Sequence, residues 1–186
     1  GISLVWKELD KKTIYTILSK PIPRWMFILG KYTGLMMTVF VEVMLLSLVY
    51  VLLMTFQQSF PPSVFFVSIG LLLIELALLT AWATFFSAYS APTTAAAFTL
   101  AIFVIGHLAD DLWLLGSKSD NEMLEQMVRG LYWFLPNFEA LSIREEAVHG
   151  RDFSWSRVGF SVLYGISYTT AVLAAAVAVF QRKDIK

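Results

Sequence analysis

The chain has no cysteine among its 186 residues. That excludes thiol catalysis, zinc–thiolate sites and any disulfide framework. Charge is scarce: 15% of residues are charged, and 14 Lys+Arg balance 14 Asp+Glu. A soluble domain carries about 25% charged residues. A net charge of zero leaves no basic field to attract nucleic acid. No phosphate loop is present either. Gly30-Lys31 is followed by Tyr32-Thr33, and position 25, where such a loop needs glycine, is Trp. What fills the chain is hydrocarbon. Apolar residues make up 58%, and the mean hydropathy is +0.68, against about 45–50% apolar in a soluble domain. A disordered protein and an ordinary soluble enzyme are both excluded.

Four stretches carry the hydrophobicity. The first covers residues 32–56 and is interrupted only by Glu42. The second covers 64–89, interrupted only by Glu75. The third covers 93–115 and turns polar at His107, Asp110 and Asp111. The fourth covers 158–180 and holds no charge. A helix crosses about 30 Å of hydrocarbon with roughly 20 residues at about 1.5 Å each. The expectation is an all-α polytopic bundle, one membrane domain over 1–186, with spans at 25–56, 64–89, 93–115 and 158–180.

Pro61-Pro62 and Ser90-Ala91-Pro92 break the chain between the first three spans. The remaining link, 116–157, is long. With four spans both tails lie on one side. They hold Lys7, Lys11, Lys12, Lys20, Arg24, Lys31, Arg182, Lys183 and Lys186, against Lys118, Arg129, Arg144, Arg151 and Arg157 in the long link. The bias places the tails in the cytoplasm and the link outside. Trp25, Trp113 and Trp155 fall near span ends, as interfacial aromatics do. Residues 1–6 read as the last turn and a half of an earlier span, so the chain is expected to be a fragment lacking one or two upstream spans.

Residues 7–20 form an expected amphipathic helix. Ile14, Ile17 and Leu18 share one face, and Asp10, Lys11, Lys12, Thr13 and Thr16 cover the rest. Pro21 and Pro23 end it, and Arg24 and Trp25 anchor the next helix. Such a helix either rests on anionic lipid or docks a cytoplasmic partner. The run Glu8…Lys12-Thr13-Ile14-Tyr15…Leu18-Ser19-Lys20-Pro21-Ile22-Pro23-Arg24…Leu29-Gly30-Lys31 resembles the coupling region of ABC-2 type transporter permeases. Lys20 and Pro23 stand where serine is commoner. Leu135-Pro136-Asn137-Phe138-Glu139 resembles the family's element before the last span, and Gln181-Arg182-Lys183-Asp184 its closing basic run.

The resemblance spans essentially the whole chain and implies a permease half of an exporter in the cytoplasmic membrane. It implies that Glu8, Thr13, Ile14, Leu18, Pro21 and Arg24 meet a separate ATPase subunit, present in two copies, which uses ATP and Mg. A second permease copy or relative would complete the assembly. The family usually has six spans, so this chain would hold the last four and the end of the second. This chain itself is expected to bind no cofactor.

In the long link, Met123, Leu124, Met127, Val128, Leu131, Tyr132 and Leu135 recur at helical spacing, and Pro136 stops that helix. Asn137 then suits the cap of a second helix over 138–148, with Gly150 beyond it. Two outer interfacial helices forming a lid are expected. Glu42 and Glu75 sit near the bilayer midplane, where an acid costs about 2.5–3.5 kcal/mol. No Lys or Arg lies in the four apolar stretches to pair with them. Each must be protonated, hydrogen-bonded to Ser, Thr or Tyr, or face a wet cavity. They either glue helices together or line a translocation path.

His107 and Asp111, four apart, would share a helix face. With Asp110 they make a poor metal set, since the chain's other histidine is His149. A polar outer gate is the better expectation, with no metal. Two other classes compete with a transporter. One is a membrane scaffold. The other is an enzyme, because Glu145-Glu146, Phe103-x-x-x-His107 and His107-x-x-x-Asp111 loosely resemble the intramembrane metalloproteases related to prenyl-protein endopeptidases, in reversed chain order.

Overall fold

The computed structural model describes residues 23–58, 63–117, 122–143 and 154–182. All regular structure among them is helical: α1 (Arg24–Phe56), α2 (Ser63–Ser87), α3 (Pro92–His107), α4 (Ala109–Ser117), α5 (Glu122–Phe134), a 3-10 turn (Glu139–Leu141) and α6 (Trp155–Arg182). Three helices, α1, α2 and α6, are long and apolar enough to cross a membrane.

Helix α2 is the central post. It packs against α1, α3 and α6. Leu78, Ala81, Trp82 and Phe86 of α2 form a core with Ala95 and Ile102 of α3, Val172 of α6, and Leu135, Phe138 and Leu141 of the outer link. In lipid, helices associate through close packing rather than by escaping water. Small residues permit it here: Ala88 and Ala176 are fully buried, and a Cβ on Gly165 of α6 would collide with Ile74 of α2. Helix α1 is the opposite case. Only Ile28 and Val43 are buried along its 33 residues. A helix apolar all round with so little cover has lipid or another membrane chain as its neighbour.

The third apolar stretch is not one continuous helix over 93–115. It divides into α3 and α4 at Leu108. The cause is tertiary. In an unbroken helix the Gly106 carbonyl would accept the Asp110 N–H; instead it accepts the N–H of Phe138 at 3.0 Å. The 16 residues of α3 are an apolar helix shorter than the other three.

The outer link folds back into the bundle. Helix α5 forms where the periodicity places it, and it packs on α4. The second outer helix differs. Asn137 does cap, its Oδ1 accepting the Ala140 N–H at 3.0 Å, but only one 3-10 turn follows, and Ser142 is extended. Leu141 and Ile143 are both buried. Positions two apart point to opposite sides of a helix and to one side of an extended chain, so burying both excludes helix there. Residues 144–148 lie outside the described residues.

Candidate functional site

A carboxyl group at mid-bilayer must be neutralised or hydrogen-bonded. Glu75 stands 12 residues from either end of α2, about 18 Å from each. It is only 4% exposed. The end of α3 meets it there: His107 Nε2 lies 3.1 Å from Glu75 Oε1. The other ring nitrogen, Nδ1, lies 2.9 Å from the Phe103 carbonyl. A carbonyl only accepts, so Nδ1 carries a proton. Nε2 therefore either accepts the proton of a neutral Glu75 or donates its own to the carboxylate. The contact gives the buried acid a polar partner from α3.

The ring of His107 is held between two phenylalanines. Its centroid is 4.4 Å from Phe103 and 5.2 Å from Phe138. Phe138 is fully buried, and its seat requires a glycine opposite. A Cβ on Gly106 would lie 2.5 Å from Phe138 Cδ2 and 2.7 Å from the Pro136 carbonyl oxygen. The fold-back is also tied to α6. Tyr164 Oη accepts the Asn137 N–H at 3.0 Å, and Ser161 Oγ donates to the Ala140 carbonyl at 2.6 Å.

At the opposite end of the bundle, α1 and α6 are clamped. Arg24 Nη1 donates to the Gln181 carbonyl at 3.0 Å. The last carbonyls of a helix lack intrahelical partners and carry its negative dipole end, so a guanidinium suits them on both counts. Phe27 stacks on Phe180 with centroids 5.8 Å apart, and Ile28, Ala88, Ala176 and Phe180 close a small core beneath.

The structure separates the residues grouped by sequence. Glu42 and Glu75 occupy different environments: Glu42 is exposed on α1 and has no partner among the described residues, whereas Glu75 is buried. His107 and Asp111 do not share a helix face, because the chain breaks at Leu108 between them. Asp110 turns to the fold-back, accepting from Asn137 Nδ2 at 2.7 Å and Tyr132 Oη at 3.4 Å. Asp111 is exposed. Among the described residues no group of three acids or histidines is arranged to hold a metal. Glu8, Thr13, Ile14, Leu18 and Pro21 of the coupling helix lie outside the described residues, as do Glu145 and Glu146.

A family model described as ABC-2 family transporter protein matches residues 1–185. The chain belongs to this family. It is an ABC transporter permease, a multi-pass membrane subunit rather than an enzyme, of a family that works with ABC ATPase partners. No curated protein and no solved structure gives a significant match.

Sequence reasoning missed the Glu75–His107 pair in this ABC-2 permease, although a signal existed. Counting from the α2–α3 turn, Glu75 is 12 residues before Ser87 and His107 is 15 residues after Pro92. At about 1.5 Å per residue both lie about 18–22 Å from the turn. Gly106 and Phe138 gave no comparable signal, because 32 residues separate them.

Proposed function

We propose that this permease is half of an exporter in the cytoplasmic membrane, with both tails cytoplasmic, driven by two copies of a separate ATPase subunit that uses ATP and Mg. A second permease copy or relative completes it. Glu8, Thr13, Ile14, Leu18 and Pro21 form the docking helix, and Arg24 passes its movement on. The observation that carries this reading is the clamp between Arg24 and the Gln181 carbonyl. The motif expected to meet the ATPase runs directly into Arg24, and Arg24 grips the last turn of α6. The far end of α6 holds the fold-back through Tyr164 and Ser161. A stiff helix tied at both ends transmits rigid-body motion from one side of the membrane to the other. The outer gate is then the fold-back seated on His107, with Asp110 and Asp111 at its rim. Glu42, exposed on α1, faces the translocation path between the two halves, and Glu75 supports the gate.

Substitution of Glu8, or of Ile14 together with Leu18, tests the reading. Membrane insertion should persist while substrate-stimulated ATPase activity of the assembled complex falls. Arg24→Ala should act in the same direction, with Arg24→Lys intermediate, since lysine keeps the charge and loses the planar fork. Normal coupling in all of these variants would reject the docking role and leave the helix resting on lipid.

A further inference from the structure

Helix α1 carries its packed and its open residues on opposite sides. Ile28, Tyr32 and Val43 meet the bundle: Ile28 and Val43 are buried, and Tyr32 Oη donates to the Ala77 carbonyl of α2 at 3.3 Å. On the far side, Met37, Val41 and Leu45 form one exposed row, and Gly34, Thr38 and Glu42 form the row beside it. Residues four apart follow one another along a helix face. Gly30 continues the second row toward Arg24. Gly30 and Gly34 both have open space where a Cβ would stand, whereas Gly106 and Gly165 are small because a neighbour presses on them. Glycine weakens a helix interior, and no contact among the described residues compensates for it at these two positions.

The acid on this side needs an answer. Glu42 lies about 27 Å from Arg24 and about 21 Å from Phe56 along the axis of a helix long enough to span. An acid at that depth pairs, is hydrogen-bonded or meets water. Glu75 has His107, and the four apolar stretches hold no Lys or Arg. A two-fold axis along the membrane normal sets identical residues at identical depth, so a second copy would bring a second Glu42 to the first. A protonated carboxyl donates to a carboxyl oxygen, and such a pair carries at most one negative charge. Thr38, one turn away, adds an acceptor. Its hydroxyl donates to the Gly34 carbonyl at 3.2 Å and keeps its lone pairs. The face is therefore complementary to itself.

We propose that two copies of this permease meet through α1, side by side and parallel, with Gly34 and Thr38 at the closest approach. Each Glu42 carboxyl is hydrogen-bonded to its counterpart or to the facing Thr38 hydroxyl. Small residues four apart let the backbones of membrane helices come together, and Met37, Val41 and Leu45 pack alongside. The inference rests on the reading that a second permease copy completes the transporter. It narrows the place of Glu42 from the path between the halves to the axis where they touch.

The test is cysteine cross-linking of the assembled transporter in native membranes, which the absence of native cysteine permits. Two differently tagged copies are co-expressed. They should co-purify, and Thr38→Cys, Val41→Cys and Leu45→Cys should form disulfides between copies. Phe40→Cys should not, since Phe40 is exposed at the same depth but lies about 200° round the helix from Thr38. Gly34→Leu and Glu42→Leu should each raise the dimer dissociation constant in detergent by about three- to twentyfold, the scale of hydrogen bonds between membrane helices. Glu42→Gln keeps a donor and an acceptor and should stay within about threefold of the parent. Gly34→Leu should leave thermal unfolding of the subunit unchanged, because its side chain enters open space, so its loss of dimer would not come from misfolding.

Co-purification with disulfides at Phe40→Cys, or at Leu163→Cys on the exposed side of α6, would keep the two-copy transporter and overturn the α1 surface. Failure of the tagged copies to co-purify would leave a relative as the other half and overturn both. Modification of Glu42→Cys by a water-soluble thiol reagent, without disulfides at Thr38→Cys, would put Glu42 on an aqueous path. Modification by a hydrophobic reagent alone would put it against lipid. Either result ends the assignment.

Discussion

His107 reaches across to Glu75: Nε2 and Oε1 are 3.1 Å apart, and Nδ1 is committed to the Phe103 carbonyl. The contact joins α2 to the end of α3, at the point where the outer link folds back and Phe138 covers the imidazole. A single polar pair thus sits where three pieces of the chain meet.

The pair should show as a coupling in a double-mutant cycle. Glu75→Leu takes the carboxyl away from a half-buried imidazole, and His107→Leu takes the imidazole away from a buried carboxyl. Each should lower stability by about 1–3 kcal/mol. The double variant should cost less than the sum, with a coupling of about 0.6–1.7 kcal/mol on the scale of hydrogen bonds between membrane helices. Thermal unfolding in detergent for the four members of the cycle measures it; strictly additive losses would show that the pair contributes nothing. Glu75→Gln should stay close to the parent, because the amide can donate to Nε2.

Glu42 should respond differently. It is exposed and has no partner among the described residues, so Glu42→Gln and Glu42→Leu should both leave the subunit's own thermal stability within about 0.5 kcal/mol. On the path reading, both variants should reduce transport by the assembled complex. Full transport by the pair would remove Glu42 from the path.

Gly106→Ala should undock the fold-back. The added methyl has neither the Phe138 ring edge nor the Pro136 carbonyl as a neighbour that can give way freely, and overpacking of this kind costs about 1–3 kcal/mol. Protease cleavage within the outer link should accelerate. Combining the change with Phe138→Leu, which shortens the collision partner, should recover part of the resistance; no recovery would place the damage elsewhere.

The absence of cysteine permits a direct topology test. Single cysteines at Lys12, Gln58, Glu122 and Lys186 can be labelled with an impermeant reagent on intact cells. Gln58 and Glu122 should react, and Lys12 and Lys186 should not. The reverse pattern would invert the orientation and move the coupling surface to the wrong side of the membrane.

The sequence by itself determined that this chain lives in a membrane, which stretches are apolar enough to cross it, and which family it resembles. The reason is local. In lipid each helix satisfies its own backbone, so composition over about 20 residues decides a span without reference to any neighbour. The spans at α1, α2 and α6 and the amphipathic α5 were legible for that reason, and so was the capping role of Asn137.

Only the tertiary structure decided where the third stretch breaks and which residue answers Glu75. Composition treats 93–115 as one apolar run. It breaks because Phe138, remote in sequence, supplies an N–H to Gly106 and takes the place of the helix's own donor. The extended path through Leu141 and Ile143 has the same origin: capping chemistry favours a helix there, but burying both side chains on one surface requires the chain to straighten. Contacts between distant residues leave no periodicity behind, and they assembled the His107, Glu75 and Phe138 cluster from three segments that look unrelated in the chain.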